Sequence, residues 1–260
     1  MNILVLLAGV ADNRYPLHEL SLTSDGALQE SGQTRRILSP FDEGALELAL
    51  KLRDKNDAVR IDALVMAGPN EEALAKSVAA YKPDSLKVFS LNHTNLWDSV
   101  MASSQIATYV KTRNPRPDLV FIGREFGDLD EGSIPVLLAG ELGLPYFSLT
   151  QYAEWQGDDV RLMRERGLRR EWLTLKDSCL ATVTNDKRNK LRHPLMKNVM
   201  VAKRQTIETA HQASADHGRV VAKELAEPKM VSRTGQCEML AGSVQEQAQT
   251  IARYLKQIKA

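Results

Sequence analysis

Residues 37–53 read ILSPFDEGALELALKLR. Pro40 pushes Ser39 towards extended geometry, so no helix begins ahead of the proline. Asp42 and Glu43 then fall in the first helical turn, where carboxylates complement the positive end of the helix dipole. Ala45, Leu46, Leu48, Ala49, Leu50 and Leu52 follow at helical spacing, with Glu47, Lys51 and Arg53 outside them. This predicts an amphipathic helix from Asp42 to about Lys55. A proline turn feeding a helix N-terminus, shortly after a hydrophobic strand, leaves backbone N–H groups at a sheet edge where a phosphate can sit. The same pattern equally describes a capped helix packing on its own sheet.

Upstream, Ile3 to Ala8 reads as a buried strand, and Asp12 to Arg36 as a long polar loop with a hairpin. A loop of that length in a compact domain is usually functional or mobile. Downstream come a strand over 60–67 ended by Gly68-Pro69, a helix over 71–81, a strand over 85–91 and a helix over 95–111 stopped by Pro115 and Pro117. A strand over 118–123, a helix over 131–142 interrupted early by Pro135, and a fifth strand from Leu144 follow. Such alternation predicts a parallel sheet covered on both faces. Ligands of these sheets sit beyond the carboxyl ends of the strands, at a switch point. The loops after Ala8, Ala67 and Gly123 therefore share one rim with the Ser39-Pro40 turn. Beyond residue 150, three antiparallel strands (152–155, 160–164 and 171–175) and another strand over 180–184 are expected, with Gln156-Gly157-Asp158 as a turn. Residues 185–204, NDKRNKLRHPLMKNVMVAKR, are basic with little periodicity. Residues 206–242 read as an extended arm, and 243–259 as a final helix with Ser243 and Glu246 at capping-box spacing.

The 260 residues are 43% hydrophobic, enough for a sizeable core, and the formal net charge of +1 gives no global field for nucleic acid or an anionic membrane. Two cysteines, Cys179 and Cys237, argue against a disulfide scaffold or a cysteine metal site and fit a reducing compartment. The first ten residues read as a strand, not a leader, and no apolar run is long enough to span a membrane. A soluble, cytoplasmic protein is expected. Neither common phosphate loop is present, nor is H-E-x-x-H, C-x-x-C or G-x-S-x-G. The carboxylates Asp128, Asp130 and Glu131 could hold a metal ion or act as acid and base, or form a loop and helix-start cluster.

Four blocks, in order, resemble the electron transfer flavoprotein beta-subunit family: ILVLLAGV, SPFDEGALELALKLR, DLVFIGREFGDLDEGSIPVLLAGELGLP and TNDKRNKLRHPLMKNVMVAKR. VMAGP after the second strand and SRTGQ before the last helix also match, so the similarity spans nearly the whole chain. It implies a three-layer α/β/α fold, mostly parallel and Rossmann-like, with antiparallel additions and an extended C-terminal arm. Residues 1–184 would be the nucleotide-binding domain, with its antiparallel addition from about 151. Residues 185–205 would be a partner-recognition loop, and 206–260 an arm with a terminal helix packing on an alpha subunit.

The function implied is that of an electron carrier without substrate turnover. It would pass electrons from a flavin-containing dehydrogenase to an acceptor through FAD shared with the alpha subunit. The resemblance places AMP among Leu6, Ser39, Pro40, Phe41, Asp42, Ala67, Asp128, Asp130, Gly132, Ser133 and Ile134. There the family pattern D-D-x-N-Q-T-G becomes Asp128-Leu129-Asp130-Glu131-Gly132-Ser133-Ile134-Pro135, with Ser133 the one obvious hydroxyl donor. Carboxylates facing a phosphate would repel it. Asp128-Leu129-Asp130 also resembles the D-G-D of bifurcating members, which hold a second FAD. Phe41 and Tyr15 match aromatics near the redox flavin. Met196, beside Leu195 and flanked by Arg192 and Lys197, matches the docking anchor, where a thioether adapts to a pocket and charges steer encounter. Glu165 matches a residue that reaches towards the alpha subunit. Residues 185–204 lack aromatic platforms for single-stranded nucleic acid, and no membrane insertion is expected. Two other readings are a stand-alone nucleotide-binding regulator of the same fold and a metal-dependent hydrolase using Asp128, Asp130 and Glu131.

Overall fold

The computed structural model describes residues 1–15, 20–24, 28–29, 34–67, 72–91, 96–210, 224 and 239–258. In chain order these form β1 (Asn2–Leu7), β2 (Val10–Ala11), β3 (Ser21–Leu22), β4 (Leu28–Gln29), β5 (Arg36–Ile37), α1 (Pro40–Lys55), β6 (Arg60–Ala67), α2 (Glu72–Ala79), β7 (Ser85–Ser90), α3 (Ser99–Lys111) and β8 (Leu119–Gly123). After them come α4 (Ser133–Leu142), β9 (Tyr146–Thr150), β10 (Tyr152–Gln156), β11 (Asp159–Arg166), β12 (Arg169–Thr174), β13 (Cys179–Val183), α5 (Met196–Arg204), β14 (Glu208–Ala210) and α6 (Val244–Ile258).

Seven strands make one parallel sheet in the order β14-β7-β6-β1-β8-β13-β9. Side chains of a strand alternate between faces, and β1 divides its residues accordingly. Ile3, Val5 and Leu7 join the core beneath α1 and α2, whereas Leu4, Leu6 and Ala8 join the core beneath α3 and α4. The result is three layers. The β10–β11–β12 meander closes over the α1 side, where Trp155 donates its ring N–H to the Leu52 carbonyl at 3.0 Å.

Several elements go beyond or differ from expectation. β13, expected as a further strand without an assigned partner, lies parallel between β8 and β9. The strand's pairing depends on distant partners that its own residues cannot reveal. Pro135 occupies the first turn of α4, where its missing N–H costs nothing, and the helix runs on to Leu142. The basic stretch contains α5, and β14 from the expected arm extends the sheet beside β7. Gly68-Pro69, SRTGQ and Cys237 lie outside the described residues.

The chain divides into residues 1–225, which hold this fold, and 226–260. In the latter α6 starts with the expected cap. The Ser243 N–H donates to Glu246 Oε2 at 2.7 Å, and the Glu246 N–H donates to Ser243 Oγ at 3.4 Å. No described helix is long and apolar enough to cross a membrane.

Candidate functional site: the rim around α1 and α4, and the α5 ridge

From β1 the chain crosses to β6 on one side, and from β8 it passes on towards β13 and β9 on the other. Their carboxyl ends thus flank a switch point, and α1 begins against both. Ser39 is its N-cap: its Oγ accepts the Asp42 N–H at 3.0 Å, and Asp42 Oδ2 accepts the Ser39 N–H at 3.1 Å. This is a capping box with Asp in place of Glu. The same carboxylate accepts the Gly9 N–H at 2.9 Å and the Ala8 N–H at 3.3 Å, tying the helix to the end of β1. Asp42 is wholly buried, and burial raises its pKa against the pull of these hydrogen bonds.

Phe41 rests on the end of β8 because Gly123 has no side chain. A Cβ there would lie 2.9 Å from Phe41 Cβ and 2.7 Å from the Glu125 carbonyl oxygen. The Arg124 guanidinium stands 5.3 Å from the Phe41 ring centroid and pairs with Glu125. Tyr15 is exposed, with the Arg35 guanidinium 4.2 Å from its ring centroid. The β2–β5 pairing, Val10 opposite Ile37, draws the Tyr15 loop and the approach to Phe41 together. The sequence reading named both aromatics but neither arginine. Position alone carried a signal for Arg124, the first residue after a buried strand on the expected rim.

The third block places its carboxylates separately. Asp128 accepts the Ala11 N–H at 3.0 Å and pairs with Arg36 at 2.7 Å. Gly132, at φ 104°, turns the chain into α4 in a conformation that favours glycine. Buried Asp130 caps that helix, its Oδ1 accepting the Ser133 N–H at 2.8 Å and the Ile134 N–H at 3.1 Å. The Gly132 and Phe126 amides also face its carboxyl group, and burial raises its pKa. Leu6 and Ile134 lie in the core below Asp130's helix, whereas Ala67 belongs to the opposite core. Pro40 and Ser133 are exposed. No group of three carboxylates, histidines or cysteines among the described residues could hold a metal ion. The hydrolase reading therefore has no assembled centre there.

Towards a phosphate this rim is a poor fit. Its amides at residues 8, 9, 11, 39, 133 and 134 already donate to Asp42, Asp128 or Asp130. Towards a flavin ring the rim offers two aromatic rings, each with a guanidinium group over it.

The expected docking residues sort into two roles. Leu195, Met196, Met200 and Val201 are exposed on and just before α5, Met196 at 75%. Val199 and Ala202 pack the helix against Ala79 and Ala80 at the end of α2. Lys197 is exposed. Arg192 is not an outward steering charge. Its guanidinium meets Glu47 at 2.9 Å and Asp54 at 2.7 Å, and its N–H donates to Glu47 Oε2 at 3.1 Å. Glu47, expected on the outer face of α1, is consequently buried. Glu165, at the end of β11, accepts from Arg170 Nε at 3.1 Å, so it is engaged within its own hairpin.

A family model for the electron transfer flavoprotein domain matches residues 28–215. The chain belongs to the electron transfer flavoprotein family. It is similar to the electron transfer flavoprotein subunit beta of Syntrophomonas wolfei, 26% identical over 74% of each chain. The subunit beta of Bradyrhizobium diazoefficiens is 26% identical over 90% of each. The acryloyl-CoA reductase electron transfer subunit gamma of Anaerotignum propionicum is 25% identical over 70% of this chain and 68% of its own. With this family the chain takes the β-subunit role in electron transfer. The three-layer fold agrees with that membership.

Proposed function

We propose that this electron transfer flavoprotein β subunit pairs with an α subunit, closes one side of a shared FAD site, and docks a flavin-containing dehydrogenase through α5. FAD bound there would accept electrons from the dehydrogenase and release them to an acceptor. Phe41 and Tyr15 would cover the ring and exclude water. Arg124 and Arg35 would place positive charge beside it, where a low dielectric strengthens their effect on an electron-rich ring. Amphipathic α6, with Val244, Ile251, Leu255 and Ile258 along one side, is offered to the α subunit. The two-cysteine composition suits a cytoplasmic setting.

One observation carries the reading: exposed Leu195, Met196 and Met200 stand on a segment held at its base by the Arg192–Glu47 pair. Soft thioethers exposed together suit an adaptable apolar contact. Glu47 lies on α1, whose first turn carries Phe41 at the flavin face, so one rigid element links the two functions. A groove of about 530 Å³ beside α5, lined by Leu38, Tyr81, Leu191 and Val199, gives the partner a recess next to the ridge.

Met196→Ala should slow reduction of the flavin by its dehydrogenase, measured by stopped flow, while flavin content stays normal. An unchanged rate would remove the docking assignment. A complex purified without flavin would remove the carrier assignment.

A further inference from the structure

We infer that Asp130 occupies the place of a nucleotide phosphate in this chain, so that its rim holds neither AMP nor a second FAD. The consequence for the complex, one flavin and no other nucleotide, rests on the proposed function above.

A helix N-terminus binds phosphate through N–H groups that lack partners. In α4 those groups are spent: the Ser133 and Ile134 amides donate to Asp130 Oδ1, and Pro135, third in the helix, has no N–H. The neighbouring amides are spent in the same way. Those of residues 8, 9 and 39 donate to Asp42, and that of Ala11 donates to Asp128. The cation closest to hand in this network, Arg36, is paired with Asp128 and only 4% of its side chain is exposed.

At the start of α4 a phosphate could reach the Ser133 and Ile134 amides only by displacing Asp130. The residue is 5% exposed, and its Oδ2 is enclosed without any hydrogen-bond partner. That orphan oxygen is an acceptor, so it would meet a phosphate acceptor to acceptor, with like charge added. Side-chain donors compensate little: Gly132 and Ile134 supply none, which leaves the single Ser133 hydroxyl. Both AMP and the pyrophosphate of a second FAD would meet the same obstacle.

The test is a count of nucleotide and phosphorus in the complex purified from cells co-producing this full chain and its α subunit. Released nucleotides are separated by chromatography and total phosphorus is measured. The expected result is one FAD, two phosphorus atoms and no AMP per complex. Asp130→Gly, which frees the α4 amides, should acquire AMP when incubated with it. If that variant fails to assemble, Asp130→Ser keeps a neutral cap and replaces it. One AMP or two FAD in the unsubstituted complex would overturn the inference. So would an AMP-free complex whose assembled variant also stays AMP-free at millimolar AMP, because Asp130 would then not be the cause. A complex without flavin would overturn the proposed function instead, and the AMP count would still judge Asp130.

Discussion

Helix α1 buries two carboxylates, Asp42 and Glu47, while helix α5 exposes two methionines, Met196 and Met200. Each inverts the usual rule that charges face water and apolar groups face the core. The inversions have different physical causes. In α1 nine of sixteen residues are buried, and both carboxylates are matched: Asp42 by three backbone amides, Glu47 by Arg192. A buried charge so matched locks geometry, because losing any partner leaves it uncompensated. In α5 only Ala202 is buried, and among the described residues nothing covers the two methionines. The contrast teaches that α1 is scaffold throughout, even where it is charged, and that α5 is surface, even where it is apolar.

The largest test of this contrast is Asp42→Ala. It strands the amides of Ala8, Gly9 and Ser39, at about 1–3 kcal/mol for each buried group left unpaired. A loss of about 3 kcal/mol or more should appear in urea unfolding. A loss below about 1 kcal/mol would show that α1 is not held by its carboxylate.

Glu47→Ala comes next. Breaking a buried ion pair costs about 3–5 kcal/mol, but Arg192 is over a third exposed and keeps Asp54, so about 2 kcal/mol is expected. Looser seating of α5 should also raise KM for the dehydrogenase, with Glu47→Gln between the two. A stability loss with KM unchanged would separate the pair from docking.

A pH series sharpens the first test. Burial lifts the folded-state pKa of Asp42 above its ordinary 3.8, so the folded chain binds a proton more readily than the unfolded one. Its contribution to stability is therefore fully present below pH 3.8 and falls as pH rises through the lifted value. Asp42→Asn should flatten stability against pH over that window, as read by urea midpoints. An equally steep fall in the variant would assign it to other groups.

The smallest change in stability belongs to Met196→Ala, within about 0.5 kcal/mol as for other surface positions. A larger loss would mean that Met196 packs within the fold and that α5 is scaffold after all.

Much of this was legible in the sequence where neighbours along the chain carry the information. The proline turn, acidic first turn and leucine spacing announced α1, and continuous apolar runs announced β1 and β8. The helix α5 was not legible. Its nine residues are largely cationic or exposed, and it is held by Val199 and Ala202 packing on α2 rather than by a periodic face. Arg192 read as a steering charge because its partner Glu47 lies 145 positions away. Asp128 and Asp130 read as one cluster, whereas one turns to Arg36 and the other into its own helix start.

The sequence by itself determined the alternation of strands and helices, the rim on which a site would lie, and the family. These follow from hydrophobic period, turn chemistry and ordered motifs, all local along the chain. Only the tertiary structure decided which charges face inward, where β13 enters the sheet, and that the rim amides are filled by aspartates. Those outcomes depend on which distant groups meet, and a carboxylate's role is set by the donors that reach it rather than by its place in the chain.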